Sequence, residues 1–276
     1  MVERIQAVAD SLTATEQKLV SALLTAPREV AIGTSSEFAA RIGVHEATTS
    51  RLSKKLGFAS YAGFRDALRA EYLRDAAPAE RISATLSDAR VQGFLPLLVA
   101  SEIAALSGMA DHVSEERILD AAEALNRDRV FIYGHGNASA LSELMERRLR
   151  RLGIVSHRLD GNRRDLAEQV LTLSDRDALL LFAFRRQPPD YAHLLEVAGT
   201  VGANTVVIAG TIGPSLTPRP DILLSAPRAG MPDSFQTLTV PMAICNATIL
   251  ALASLRGDRA MGALDRLGHL LARFEE

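Results

Sequence analysis

The stretch His45–Phe58, HEATTSRLSKKLGF, gathers threonine and serine hydroxyls and three cations on one short segment that a glycine ends. Wound as a helix, it would turn Thr48, Arg51, Lys54 and Lys55 outward. Hydroxyls and cations in such an array bind phosphate oxygens, and an arginine fork also matches the O6 and N7 edge of guanine. A second group of chemistry-bearing residues comes much later. GHGNAS (134–139) has two glycines that let backbone amides approach an anion closely. FAFRRQPPDY (182–191) carries two arginines, whose planar guanidinium forks suit carboxylate or phosphate. MPDSF (231–235) adds Asp233 and Ser234, which could bind a ligand or cap the next helix. The first set suits a nucleic-acid backbone, the second a small anion.

Catalytic signals are poor. There is no Gly-x-Ser-x-Gly elbow, and GHGNAS has neither the third glycine of a dinucleotide fingerprint nor the Gly-Lys-Ser/Thr of a P-loop. The six histidines (45, 112, 135, 157, 193, 269) are scattered, and no pair of histidines or cysteines has metal-ligand spacing. Only His135 falls in a candidate loop, without a placed acid or base partner. No catalytic residue, metal or cofactor is assigned.

Positioning the first set requires helices. Thr13-x-x-Glu16 and Thr34-x-x-Glu37 are capping-box patterns. An apolar stripe of Leu19, Val20, Leu23 and Leu24 follows the first and ends at Pro27; Phe38, Ala39 and Ile42 follow the second. Gly43 can adopt the left-handed conformation that ends a helix, and Val44 can plug the turn. The next helix, from about Glu46 to Leu56, is expected to turn Ala47, Leu52 and Leu56 inward, with Gly57 as its cap. Tyr61, Phe64, Leu68 and Tyr72 stripe another. Short helix, glycine turn, second helix is the spacing of a helix-turn-helix, whose second helix lies in the DNA major groove. Between Arg41 and Arg74 there are seven Lys/Arg against three acids, a balance of +4 in a chain whose total is -2. Positive charge is therefore concentrated where phosphate binding needs it.

Positioning the second set requires strands. DAAPAER (75–81) is the expected linker, and a helical region follows from about Ile82 to Leu125, with Ser114 capping its last helix. Beyond Arg129, VFIYG (130–134), IVSHRL (154–159), ALLLFAF (178–184), TVVIAG (205–210) and DILLS (221–225) are short apolar runs with helical stretches between most of them. That alternation predicts a parallel sheet covered on both faces, with ligands beyond the carboxyl ends of the strands. Helices at about 235–255 and 259–274 close the chain.

Composition sets the bounds. A chain of 276 residues, 47% hydrophobic and 23% charged, suffices for two domains. Its pI near 6.3 excludes a protein basic throughout. Cys245 lies in an apolar segment and is expected to be a buried, inert thiol. The N-terminus does not look like a signal peptide, and no apolar run is expected to reach the ~18 residues of a membrane helix. These features suggest a reducing cytoplasm.

The order of parts resembles the RpiR family of bacterial transcriptional regulators, in which an N-terminal helix-turn-helix is joined to a C-terminal SIS (sugar isomerase) domain. The likeness is strongest over EFAARIGVHEATTSRLSKKLGFASYAGFR (37–65): Phe38-Ala39, Gly43-Val44, Ala47-Thr48, Arg51-Leu52, Lys55-Leu56-Gly57-Phe58, Tyr61 and Phe64. It implies an all-α helix-turn-helix domain at 1–76, a connection at 77–109, and an α/β three-layer SIS domain with a five-stranded parallel flavodoxin-like sheet at 110–276. The chain departs from the family pattern in three places. His45 stands where a serine cap is usual. Ala138 replaces the serine of a Gly-x-Gly-x-Ser loop, with Ser139 one place later. Ala183-Phe184-Arg185-Arg186-Gln187-Pro188 replaces a Ser-x-Ser-Gly-x-Thr cradle.

On this resemblance the chain is expected to be a DNA-binding regulator. Ser35, Ser36, His45, Lys54, Lys55 and Tyr61 would contact phosphates, and Glu46, Thr48, Thr49 and Arg51 would read bases. Gly134, His135, Gly136, Asn137, Ser139, Arg185, Arg186, Gln187, Asp233 and Ser234 would hold a small anionic metabolite, a sugar phosphate or a carboxylate. A homodimer or tetramer on a palindromic double-stranded site is expected, with no membrane partner. The rival is a SIS-type phosphosugar isomerase with a helical appendage.

Overall fold

The computed structural model describes residues 4–5, 8, 11–25, 30–31, 33–72, 78–230 and 234–275. The chain divides into two units, one running to Val91 and the other from Gln92, with Phe235 grouped with the first.

The first unit is helical: α1 (Ala14–Thr25), α2 (Ser35–Ile42), α3 (Glu46–Lys55), α4 (Tyr61–Tyr72) and α5 (Pro78–Gln92). Both capping boxes form. The Thr13 amide donates to Glu16 at 2.8 Å and the Thr34 amide to Glu37 at 2.7 Å. The core is built from Leu19, Val20, Leu23, Phe38, Leu52, Leu56, Phe64 and Leu68. Leu24, expected in the α1 stripe, faces solvent. Pro27 and residues 75–77 of the expected linker lie outside the described residues. Pro78 already opens α5, where its fixed φ suits a first helical turn. Gly43, at φ 71°, ends α2, and the amides of Gly43 and Val44 reach the carbonyls of Ala40 (3.2 Å) and Ala39 (3.0 Å). That pairing satisfies carbonyls which a helix end leaves open, and it fixes the angle at which α3 departs.

The second unit begins with α6 (Phe94–Ser107) and α7 (Glu115–Leu125), the latter capped by Ser114. Five parallel strands follow: β1 (Arg129–Gly134), β2 (Val155–Leu159), β3 (Asp177–Ala183), β4 (Asn204–Ala209) and β5 (Ile222–Ser225), in spatial order β2-β1-β3-β4-β5. The connecting helices are α8 (Ser139–Arg151), α9 (Arg163–Val170) and α10 (Tyr191–Val201); α11 (Thr239–Arg256) and α12 (Asp258–Glu275) end the chain. Side chains alternate across each strand. Val130, Ile132 and Leu180 pack with α7, α8 and α11, while Phe131, Tyr133 and Leu179 pack with α9 and α10. The three-layer α/β expectation holds. The strand order reverses between β1 and β3, which places the switch point there. The expected connection at 77–109 is two helices, α5 and α6, joined at Gly93.

Two expectations fail in this unit. α11 begins at Thr239 rather than near Phe235. Two stretches, Phe94–Asp111 and Thr239–Arg256, are long and apolar enough by composition to cross a bilayer, each with mean hydropathy 1.4. Sparse charge causes this in both. The second is a core helix, with Ile244, Cys245 and Leu252 fully buried. Burial pushes the Cys245 thiol up to about 12, so it stays protonated and inert, as expected.

Candidate functional site

α3 presents a mixed face. Its N-cap is His45, whose Nδ1 accepts the Ala47 amide at 3.2 Å, so the imidazole itself replaces the serine cap. Glu46, Arg51 and Lys54 are exposed and Thr48 is half-buried. Arg51 donates through Nε to the Ala47 carbonyl at 3.3 Å, which lays its stem along the helix. Ser36 is exposed at the start of α2. These residues keep a surface on which DNA could lie.

Four expected contacts need correcting. Thr49 is 1% exposed and faces inward. Its hydroxyl donates to the Glu46 carbonyl at 2.7 Å and meets the half-buried Ser35 hydroxyl at 2.5 Å, which ties α3 to α2. Thr49 and Ser35 thus set the interhelix angle instead of touching DNA. Ala47, expected inward, is exposed. Lys55 points back across the unit, with Nζ 2.9 Å from Glu16 and 2.5 Å from the Ser11 carbonyl. Burial raises the Glu16 carboxyl, but the Thr13 hydrogen bonds and Lys55 together hold it below the ordinary value. Tyr61 is 9% exposed, and its hydroxyl is buried without a hydrogen-bond partner. Burial pushes that hydroxyl up to about 12, so it stays neutral, and its ring packs on Phe64.

A pair of substitutions separates these roles. Lys55→Ala is expected to destabilise the helical unit by about 1–3 kcal/mol, because it strands a nearly buried carboxylate. Lys54→Ala should leave thermal unfolding unchanged and lower the salt slope of DNA binding by about 1 per head, about 2 for a dimer. Melting curves and DNA titrations over a salt series check both. A Lys55 variant with native stability and a reduced slope would reverse the assignment.

In the second unit the switch-point loops leave the sheet side by side, since Gly134 pairs with Phe182 across β1 and β3. Gly134 is required by packing. A Cβ there would lie 2.6 Å from the Ala138 carbonyl oxygen and 2.2 Å from the Ser142 hydroxyl. A short 3-10 turn, Gly136–Ala138, then runs into α8, whose first turn has no side-chain cap. His135, Gly136, Asn137 and Ser139 are exposed on it. α10 also starts at the switch point without a side-chain cap. The Ser139 and Tyr191 amides bond back to the Gly136 and Pro188 carbonyls, and with no side-chain cap on either helix the rest of each first turn suits an anion. Arg185 is half-buried and Arg186 exposed after β3.

Other residues there have structural duties. Gln187 accepts the Thr217 amide at 2.9 Å, which holds the loop rather than a ligand. Ser234 is half-buried and too far ahead of Thr239 to cap α11; Asp233 lies outside the described residues. Sequence reasoning missed two features. Arg228, in the loop after β5, stacks over Phe184 at 5.1 Å and donates to Gln236 at 2.6 Å. Asp190 accepts from the Tyr133 hydroxyl at 3.2 Å and Arg163 Nε at 3.0 Å. Burial first, and then Asp190, push Tyr133 up to about 12. Both features follow the carboxyl ends of strands, a position that would have found them.

Comparison with known proteins matches these two units. Residues 1–75 match the rpiR-family helix-turn-helix domain, and residues 125–251 match the SIS domain. The chain belongs to the RpiR-type regulators. It has an uncharacterized HTH-type transcriptional regulator of Haemophilus influenzae as a relative, 23% identical over 81% of this chain and 78% of that one. The bifunctional protein glk of Burkholderia orbicola is 24% identical over 84% of this chain, which spans only 36% of that longer protein. Two solved structures share the fold. The sugar isomerase domain of an RpiR transcription factor from Sphaerobacter thermophilus has TM-score 0.56 and 22% identity, covering 62% of this chain and 96% of that one. Vibrio vulnificus NanR complexed with ManNAc-6P has TM-score 0.57 and 15% identity, covering 98% and 97%. The RpiR-type chain thus joins a DNA-binding helical unit to a SIS domain, and it is a transcription regulator of that class.

Proposed function

We propose that this regulator senses a small anionic metabolite, a sugar phosphate or a carboxylate, through the switch-point loops of its SIS domain, and that occupancy there changes its affinity for DNA. The observation that carries this is the convergence of two uncapped helix N-termini with Arg185 and Arg186 beyond β1 and β3. The pairing of NanR with ManNAc-6P supports the phosphosugar class, while arginines in place of cradle hydroxyls also suit a carboxylate. In this reading residues 1–76 engage DNA, 77–109 connect, and 110–276 sense and pair. The protein acts in the cytoplasm as a homodimer or tetramer on a palindrome, with half-sites about one or two turns apart. In this reading it turns over no sugar: Asp190 is engaged by Tyr133 and Arg163, and among the described residues no acid or base is hydrogen-bonded to His135.

Coupling requires that the ligand prefer one of two DNA-binding arrangements. The test is a footprint on DNA upstream of the protein's own gene, with ManNAc-6P, other hexose phosphates and small carboxylates added in turn. One of these should shift the footprint midpoint at least tenfold. The Arg185→Ala, Arg186→Ala double variant should keep the footprint and lose the shift. An unchanged response in that variant would sink the pocket assignment, and steady isomerase turnover would sink the regulator-only reading.

A further inference from the structure

Three consecutive residues ahead of α11 bind three different parts of the molecule. The Phe235 amide donates to the Thr85 hydroxyl of α5 at 2.9 Å. The Gln236 side chain accepts from Arg228 Nη2 at 2.6 Å. The Thr237 hydroxyl donates to Glu102 of α6. Phe235 is grouped with the helical unit and Gln236 with the second, so the chain passes from one unit to the other at the peptide bond between them. The stretch is lightly packed. Residues 234–238 have neither helix nor strand, none of these side chains is buried, and the Phe235 ring is 53% exposed. A segment of that kind opens at low cost.

Arg228 is the member of this set that reaches the sensing loops. Its guanidinium carbon lies 5.1 Å from the centre of the Phe184 ring. Phe184 immediately precedes Arg185 and Arg186 in the loop after β3. The ring attracts the guanidinium through its face, so the in-plane N–H groups can exchange acceptors without giving up the ring. One acceptor is Gln236, whose neutral amide oxygen takes a single bond. A carboxylate or phosphate offers instead an ion pair with two parallel N–H···O bonds, which is the stronger arrangement. An anion drawn to Arg185 and Arg186 therefore competes with Gln236 for Arg228.

We infer that Arg228 is a latch that carries occupancy of the sensing loops to the DNA-reading unit. With the site empty, Arg228 holds Gln236, and Gln236 keeps Phe235 in place on Thr85. An anion on Arg185 and Arg186 recruits Arg228, Gln236 is released, and the bond from Phe235 to α5 opens with it. This rests on the sensing site put forward above and assigns how that site is read out. It also supplies the two arrangements that coupling requires, because the ligand gains Arg228 in only one of them.

Hydrogen exchange at the Phe235 amide and titration against the footprinted DNA, both on the full chain, test the latch. Gln236→Leu removes it. Without any ligand this variant should exchange the Phe235 amide about tenfold faster and bind DNA with a midpoint moved by a similar factor, and ManNAc-6P should then add nothing. Gln236→Glu tightens the latch, so the ManNAc-6P concentration needed for half effect should rise about tenfold. A side chain that merely stabilised the loop would not give these opposite signs. If Gln236→Leu loses helical circular dichroism, Thr85→Val cuts the same strap at its other end and should give the same ligand-independent state. A Gln236→Leu chain that exchanges, binds DNA and responds to ManNAc-6P as the native protein does would overturn the latch and leave the sensing site standing. Native protein that answers neither ManNAc-6P nor inorganic phosphate, beside a Gln236→Leu chain with a shifted midpoint, would overturn the anion reading and leave the link from Gln236 to α5.

Discussion

Arg129→Ala should destabilise the SIS domain by about 3–5 kcal/mol, a loss on the order of 10 °C in its melting temperature. Asp177, at the start of β3, is 2% exposed. Arg129, at the start of β1, holds it with two parallel bonds of 2.8 and 2.7 Å and reaches the Thr172 carbonyl at 2.7 Å. The Ser174 amide and hydroxyl complete the carboxylate's shell at 2.8 Å each. Removing the guanidinium leaves a buried carboxylate with Ser174 as its remaining partner. Desolvation is then no longer offset, and that uncompensated charge is the source of the large effect.

The same pair gives a pH signature. In the native chain burial raises the Asp177 carboxyl, but Arg129 and Ser174 pull it below the ordinary carboxylate value. A depressed native value adds stability above the unfolded value of about 4, and that stability is lost as pH falls through the native one. In Arg129→Ala the balance turns to burial and the shift reverses, so acidification relieves the variant. The gap between native and variant stability should therefore begin to shrink above about pH 4, as the variant's raised carboxyl protonates, and go on shrinking below it as the native carboxyl does. Denaturant unfolding from pH 7 downward reads this directly. A constant gap would mean that Arg129 acts by packing alone. The double change Arg129→Met, Asp177→Leu should recover most of the loss, since a buried pair exchanged for apolar residues of similar size is often neutral.

Local chemistry made much of this fold legible. Thr34, Glu37 and Gly43 announce a helix and its end because capping boxes and left-handed turns depend on residues within one turn of each other. The central runs β1, β3 and β4 are legible because strands buried on both faces take almost nothing but apolar side chains, whereas the edge strand β2 keeps Ser156, His157 and Arg158 and is mostly exposed. The phase of α3 was harder. Thr49 and Ser53 look like surface residues, yet both are buried because their hydroxyls find carbonyls one turn back, at 2.7 and 2.9 Å. Once satisfied there, a hydroxyl costs little to bury. Ala47 is small enough to be left outside at little cost. The roles of Lys55 and Arg228 depend on partners far away in sequence or across the sheet, and no local pattern encodes those. Lys54 and Lys55 are identical in type and adjacent, so only the fold could assign one to solvent and the other to Glu16.

Arg51→Ala is expected to cost specific DNA binding more than any other single change on α3. Arginine forks to guanine are worth about 1–3 kcal/mol each. Two heads on a palindrome carry the change together, so the loss per dimer is on the order of 2–6 kcal/mol, roughly thirtyfold to more than ten-thousandfold in affinity. Stability should not move, because Arg51 is exposed and its Nε bond to Ala47 lies within one turn of its own helix. The loss should also be selective. A base-reading arginine, once removed, leaves operators substituted at its base pair binding as well as the original, whereas a phosphate contact weakens every sequence alike. Titrating native and Arg51→Ala chains against the operator and its single-base variants distinguishes the two. Uniform weakening with a smaller salt slope would move Arg51 to the backbone-contacting set beside Lys54. Base recognition would then fall to Glu46 and the half-buried Thr48, the remaining polar side chains near the start of α3 that keep an open surface.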